Sequence, residues 1–138
     1  MRVFLDTNVL ASATATRGLC ADVFRFTTEF HQLVISEHLL TELERTLRTK
    51  FKAPDDLIAD TIWLLRQDTI VAPAEPLSTI GLKDKGDVLI VSCAINGQAR
   101  ILVTGDKEIQ DLHQIGALEV LSPRQFWEKQ RGQAGRGE

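Results

Sequence analysis

Three acids, Asp6, Asp87 and Asp106, stand where short apolar runs break off or where helices should begin, and a fourth, Glu42, lies within an expected helix. Asp6 closes the run Val3-Phe4-Leu5 and is followed by Thr7-Asn8 and a second apolar run, Val9-Leu10-Ala11. Asp106 lies just beyond Ile101-Leu102-Val103. Asp87 opens a long apolar run, with Asp84 one turn ahead of it, and Glu42 lies two turns into a leucine-rich stretch. Carboxylates gathered at one place form an oxygen-only ligand set, which suits hard cations such as Mg²⁺ or Mn²⁺. Such ions activate a water and stabilise the charge that builds on a phosphoryl group during in-line attack. Asn8 and Thr104 are polar neighbours able to orient a carboxylate or a bound water.

Each acid taken singly is explained as well by a helix N-cap, a position where Asp is favoured. The recurrence of acids at strand–helix junctions is what points to a shared site. Glu42 and Glu44 lie on opposite flanks of one leucine stripe, and helix geometry does not choose between them. His31, His38 and His113 lack zinc-ligand spacing with one another or with either cysteine, so solvent-facing or helix-edge roles are expected for them. The chain has no Walker loop, no GxGxxG and no GxSxG, which removes the commonest nucleotide and acyl-transfer motifs.

To bring these acids together, the elements between them must be short and must alternate. Strands are expected at Val3-Phe4-Leu5, Leu33-Val34-Ile35, Thr69-Ile70-Val71-Ala72, Ile101-Leu102-Val103 and Glu119-Val120-Leu121. Helices are expected from about Gly18 to Glu29, from Glu37 to Lys50 behind a Ser36 N-cap, and after Pro54. Val88 to Ile95 has the composition of either strand or helix. A strand follows it almost at once and Asn96-Gly97 suits a helix end, so it reads as a helix apolar nearly all round, and buried. Further helices are expected from Gly105 to about Ile115 and from Ser122-Pro123 through Trp127. Trp63 and Trp127 are expected to pack in the core. The class is therefore α/β, three layers with a mainly parallel sheet of about five strands. Ligands of such sheets bind at the carboxyl ends of the strands.

The chain has 138 residues, enough for one domain, expected over residues 1–130 and followed by a flexible Gly-rich tail at 131–138. No apolar stretch reaches the length of a spanning helix, and Asp6 interrupts the first one before a signal peptide could form. Cys20 and Cys93 are too few for a disulfide framework and read as reduced residues of a cytoplasmic protein. The net charge of −3 argues against bulk electrostatic capture of nucleic acid, but not against acids neutralised locally by cations.

The residues Phe4-Leu5-Asp6-Thr7-Asn8-Val9-Leu10 resemble the opening motif of PIN-domain ribonucleases. Val34-Ile35-Ser36-Glu37-His38-Leu39-Leu40-Thr41-Glu42-Leu43 resembles their second motif and Asp84-Lys85-Gly86-Asp87 their third. Leu102-Val103-Thr104-Gly105-Asp106-Lys107 resembles the fourth, and Ser122-Pro123-Arg124-Gln125-Phe126 the usual ending. The likeness runs from Met1 to about Glu128 and is greatest to the toxin subunits of prokaryotic toxin–antitoxin modules. It implies a five-stranded parallel sheet in the order 3-2-1-4-5 and cleavage of single-stranded RNA with Mg²⁺ or Mn²⁺. By position it makes Asp6, Glu42, Asp87 and Asp106 the catalytic, metal-binding quartet, supported by Asn8, Thr104 and Asp84. Lys85-Gly86 stands where many relatives have Pro or Asp between the acids of the third motif. Either Asp84 or Asp87 is thus open as the third ligand, with Asp87 favoured. The resemblance also implies a cognate antitoxin that inserts a segment near the acids, and a homodimer.

Two other functions are compatible with these residues. One is a catalytically degenerate PIN-like module that binds RNA or protein, using scattered cations such as Arg45, Arg48, Lys50, Lys52 and Lys107. The other is a phosphatase or receiver-like domain with Asp6 as nucleophile, disfavoured because Asn8 stands where a second Asp is required.

Overall fold

The alternation of apolar runs and amphipathic stretches becomes, in a computed structural model, a six-stranded sheet flanked by helices. The structure describes residues 1–136, with side chains as far as residue 132. In chain order the elements are β1 (Arg2–Leu5), α1 (Thr7–Ala15), α2 (Leu19–Phe30), β2 (Gln32–Ile35), α3 (Glu37–Thr49), α4 (Asp55–Leu65) and β3 (Ile70–Val71). They continue with α5 (Lys85–Asn96), β4 (Ile101–Val103), α6 (Lys107–Gln110), β5 (Gln114–Ile115), β6 (Leu118–Leu121) and α7 (Pro123–Arg136).

The strand order is β3-β2-β1-β4-β6-β5, parallel except for the last pair. The five strands expected from the sequence keep their expected order, with Leu118–Leu121 in fifth place beside β4. The sixth strand is a correction. A helix is expected over 105–115, yet it lasts only from Lys107 to Gln110 before the chain turns and pairs Gln114–Ile115 antiparallel with β6. His113 and Gly116 both take positive φ, 56° and 57°, so the segment bends twice within a few residues. A strand of two residues is too short to show a period-two pattern.

β1 lies between β2 and β4, with Leu5 beside Val103 and Phe4 beside Leu102. The chain leaves β1 toward one edge of the sheet and returns at β4 to build toward the other. The crevice beyond Leu5 and Val103 is therefore a topological switch point, where α/β sheets hold ligands. The strands here are apolar throughout (Val3, Phe4, Leu5, Leu102 and Val103 are all fully buried), as expected of parallel strands covered on both faces.

The stretch from Val88 to Ile95 is helical, and Ile90, Val91, Ser92, Cys93 and Ala94 are buried. Its C-cap, Gly97, is a glycine for a steric reason. A Cβ there would lie 2.4 Å from Val34 Cγ1 and 2.9 Å from Ala72 Cβ. Gly97→Ala is therefore expected to cost about 1–3 kcal/mol of stability by overpacking, measured by urea denaturation. A neutral or stabilised variant would contradict this packing.

Trp63 is a second correction: 64% of it is exposed, as is 55% of Leu64. At 100° per residue the run Ile62-Trp63-Leu64-Leu65 covers more of the helix than one core-facing stripe can bury, and Ile58 and Leu65 take the inner positions. Trp127 packs edge-on against Phe26. Both cysteines are free thiols, Cys93 buried and Cys20 half-buried. Helix α7 runs on to Arg136, into the segment expected to be a flexible tail; residues 137–138 lie outside the described residues. Among the described residues no helix is long and apolar enough to cross a membrane.

Candidate active site

Beyond the carboxyl ends of β1 and β4 is a pocket of about 280 Å³ lined by Asp6, Asn8, Glu42, Asp84, Asp87 and Asp106, together with Thr7, His38, Thr46, Gly86 and Ile90. Five acids from four separate stretches of chain thus face one cavity. No lysine or arginine is among its described lining residues.

Asp6 is the deepest of them, with 8% of its surface exposed. The strand hands it over directly, since its own N–H donates to Val103 O at 2.9 Å, continuing the β1–β4 ladder by one residue. Its side chain then caps α1. Oδ1 accepts the Thr7 N–H at 2.6 Å, and Oδ2 accepts the Thr104 hydroxyl at 2.7 Å. Thr104, fully buried at the end of β4, also accepts the Asp106 N–H on its Oγ1 at 3.0 Å. One hydroxyl therefore couples the acid after β1 to the acid after β4.

Asp106 caps α6, its Oδ1 accepting from Glu108 N at 2.9 Å and Ile109 N at 3.2 Å. Asp84 caps α5 in the same way, from Gly86 N at 2.7 Å and Asp87 N at 3.1 Å. Asp87, in the first turn of α5, makes no side-chain hydrogen bond among the described residues. Capping and site membership coincide here: three of the five acids hold helix ends with one oxygen while lining the pocket. Both Asp84 and Asp87 reach the cavity, but only Asp87 does so with both oxygens uncommitted.

The electrostatics show a negative field, with no lysine or arginine among the described lining residues to offset it from within. Burial pushes the Asp6 carboxyl above its ordinary range. The hydrogen bonds from Thr104 and Thr7 pull the other way without winning, and the charges of Asp106 and Glu42 add to the rise. The Asp87 carboxyl is pushed up to about 6, first by desolvation and then by Asp106, Asp84, Asp6 and Glu108.

α3 settles the choice that helix geometry leaves open. Glu42 faces the pocket, whereas Glu44 is exposed and ion-paired to Arg48 at 3.1 Å. Glu42 is itself held from outside by Arg45, whose Nη2 donates to Oε1 at 2.6 Å. His38 lines the pocket one turn before Glu42, with Nε2 4.0 Å from the same oxygen. His38, for which a solvent-facing or helix-edge role is expected, and Thr46, which belongs to no motif, both line the pocket. Their signal was spacing, four residues either side of Glu42 on one helix face.

Among the described residues no three His, Cys, Asp or Glu side chains stand grouped closely enough to hold an ion unaided. The donor set nonetheless fits a small hard cation, because Mg²⁺ keeps several waters and takes only one or two carboxylates directly. Asp6 and Asp87 are both held above their ordinary range in a pocket without a lining cation among the described residues, and they are the residues that would hold such an ion. Two larger hollows, about 560 and 600 Å³, are lined mostly by apolar side chains and include no carboxylate.

A sequence model described as PIN domain matches residues 2–108. Comparison with curated protein sequences gives no match. Among solved structures the chain is similar to VapBC2 from Rickettsia felis bound to a promoter DNA fragment, with a TM-score of 0.61 at 19% identity, covering 87% of this chain and 97% of that one. It is similar to VapBC-1 from nontypeable Haemophilus influenzae, with a TM-score of 0.59 at 18% identity over 90% and 99%. It is also similar to VapC20 of Mycobacterium tuberculosis, a sarcin–ricin-loop-cleaving toxin, with a TM-score of 0.58 at 12% identity over 82% and 96%.

Proposed function

From the premise that this chain belongs to the PIN-domain family, we propose that it is a divalent-metal-dependent endoribonuclease that hydrolyses single-stranded RNA as the toxin of a toxin–antitoxin pair. The observation that carries this reading is the convergence of Asp6, Glu42, Asp84, Asp87 and Asp106 on one pocket with no lining cation. When bound, Mg²⁺ or Mn²⁺ supplies charge neutralisation at the phosphate and lowers the pKa of water. The chain's own residues do the rest. Asp6 and Asp87 offer carboxylates, with Asp106 and Glu42 completing the quartet. Thr104 fixes the orientation of Asp6 from one side while positioning Asp106 from the other. Asn8, at the open side of the pocket, is placed to meet a water or the RNA. Water adds to phosphorus, the ester oxygen departs, and the RNA is left in two pieces.

An antitoxin partner is supported by exposed apolar surface. Phe30, Trp63 and Leu64 stand out in solvent, and Leu64 lines a groove of about 260 Å³ together with Phe24, Leu33 and Leu65; exposed apolar surface of this kind marks protein docking sites. The structures of VapBC-1 and VapBC2 are of complexes. A homodimer and a cytoplasmic location belong to the same reading.

One observation favours the non-cleaving binding module instead, namely that Arg45 already neutralises Glu42. A single assay separates the two. Labelled single-stranded RNA is expected to be cut in Mn²⁺ and left whole in EDTA. RNA that is bound but never cut would support the module, and cutting that survives EDTA would overturn metal dependence.

A further inference from the structure

A pocket of carboxylates that must admit a polyanion has an electrostatic difficulty, because the acids that attract a cation repel the RNA backbone. A positive group at the rim resolves it, and the candidates on α3 differ in what already holds them. Arg48 is doubly engaged, with Asp55 at 2.5 Å and Glu44 at 3.1 Å. Arg45 makes one contact only, through Nη2 to Glu42 Oε1 at 2.6 Å, and its side chain is 66% exposed. Its remaining donors have no protein partner among the described residues. Glu42 is thus a pocket acid whose charge is already balanced, by a group that would compete with any incoming ion.

We propose that Arg45 is an RNA-phosphate-binding residue that Glu42 holds in reserve at the pocket rim. The inference rests on the nuclease reading and adds an exchange of partners to it. Were Glu42 to turn to a divalent ion held by the pocket acids, the guanidinium would be released. Its planar fork then suits a phosphate neighbouring the scissile one. An exposed ion pair of this kind is weak and exchanges readily, so the switch needs no backbone movement. Arg45 is a binding residue, touching the substrate backbone beside the reacting atoms and taking no part in bond making.

The exchange makes two effects of opposite sign. Arg45→Gln removes a competitor for Glu42 and is expected to tighten Mn²⁺ binding, read by calorimetry without RNA, by about fivefold. The same change is expected to raise KM for single-stranded RNA at saturating Mn²⁺ by about fivefold while kcat stays within about twofold, the pattern of lost uniform binding. It should also lower the salt dependence of kcat/KM by about one phosphate, roughly 0.7 in the slope. Arg45→Lys, which keeps charge without the fork, should fall between. Thermal melting of each variant confirms that this exposed position leaves the fold intact.

Tighter metal together with weaker RNA supports the inference, and any other combination overturns it. Native protein that takes up no Mn²⁺ would defeat the nuclease reading and this inference with it. Native protein that takes up Mn²⁺ and cuts RNA, beside an Arg45→Gln variant unchanged in both respects, would defeat the inference alone.

Discussion

Replacing Asp6 by Asn is expected to reduce RNA cleavage by on the order of a thousandfold or more, a loss of about 4 kcal/mol of transition-state stabilisation. The protein should fold as before. Asn keeps an oxygen for the Thr7 N–H, and the Thr104 hydroxyl, both donor and acceptor, can turn to accept from the new amide. Burial already disfavours the ionised form of Asp6, so the variant's melting temperature at pH 7 should equal or exceed that of the metal-free native protein. Cleavage and melting are measured on the same preparation. An Asp6→Asn protein that still cuts RNA at the native rate would remove the pocket from the mechanism. An unfolded one would show instead that the fold needs a second carboxylate oxygen to accept the buried Thr104 hydroxyl.

A second large effect is expected from pH. In the metal-free protein the Asp87 carboxyl titrates near pH 6 rather than at the ordinary 3.8, and an incoming ion must displace that proton. Mn²⁺ affinity should therefore fall by about tenfold per pH unit below pH 6 for the Asp87 proton, and more steeply where Asp6, also raised, is protonated too. Calorimetry at pH 5 and pH 7.5 tests this, and affinity independent of pH over that range would contradict it. Stability should move the other way without metal. The folded pKa lies above the unfolded one, so between about pH 4 and pH 6 the native state holds more protons than the unfolded chain. Stability from this group is then present at low pH and declines as pH rises through the window. Asp87→Asn lacks the titration. Its melting temperature relative to native should climb between about pH 4 and 6, stay flat above, and lose its advantage when saturating Mn²⁺ stabilises the native protein.

Much of this arrangement is written in local patterns. The runs that end at Asp6 and Asp106 announce strands delivering acids to a sheet rim, and a mainly parallel sheet follows from strand–helix alternation, while the order of its strands comes from the family resemblance. Three-dimensional neighbours are a different matter. Nothing near Thr104 says that its hydroxyl will lie between Asp6 and Asp106, because that depends on the register of β1 against β4. Glu42 and Glu44 are indistinguishable on a helical wheel until α3 is docked and Arg48 draws Glu44 outward. His38 carries no motif of its own and joins the site by sharing a face with Glu42. Where the reading fails outright, the causes are physical. β5 is too short to show periodicity, and Trp63 belongs to an apolar run wider than the core it flanks.

Crystals soaked in Mn²⁺ and measured at an anomalous-scattering wavelength test the central point most directly. Density is expected in the crevice beyond β1 and β4, with carboxylate oxygens of Asp6 and Asp87 or Asp106 about 2.1 Å away and Glu42 turned from Arg45. A map at saturating Mn²⁺ with no peak among those acids, or with its peak elsewhere, would contradict a metal-dependent nuclease.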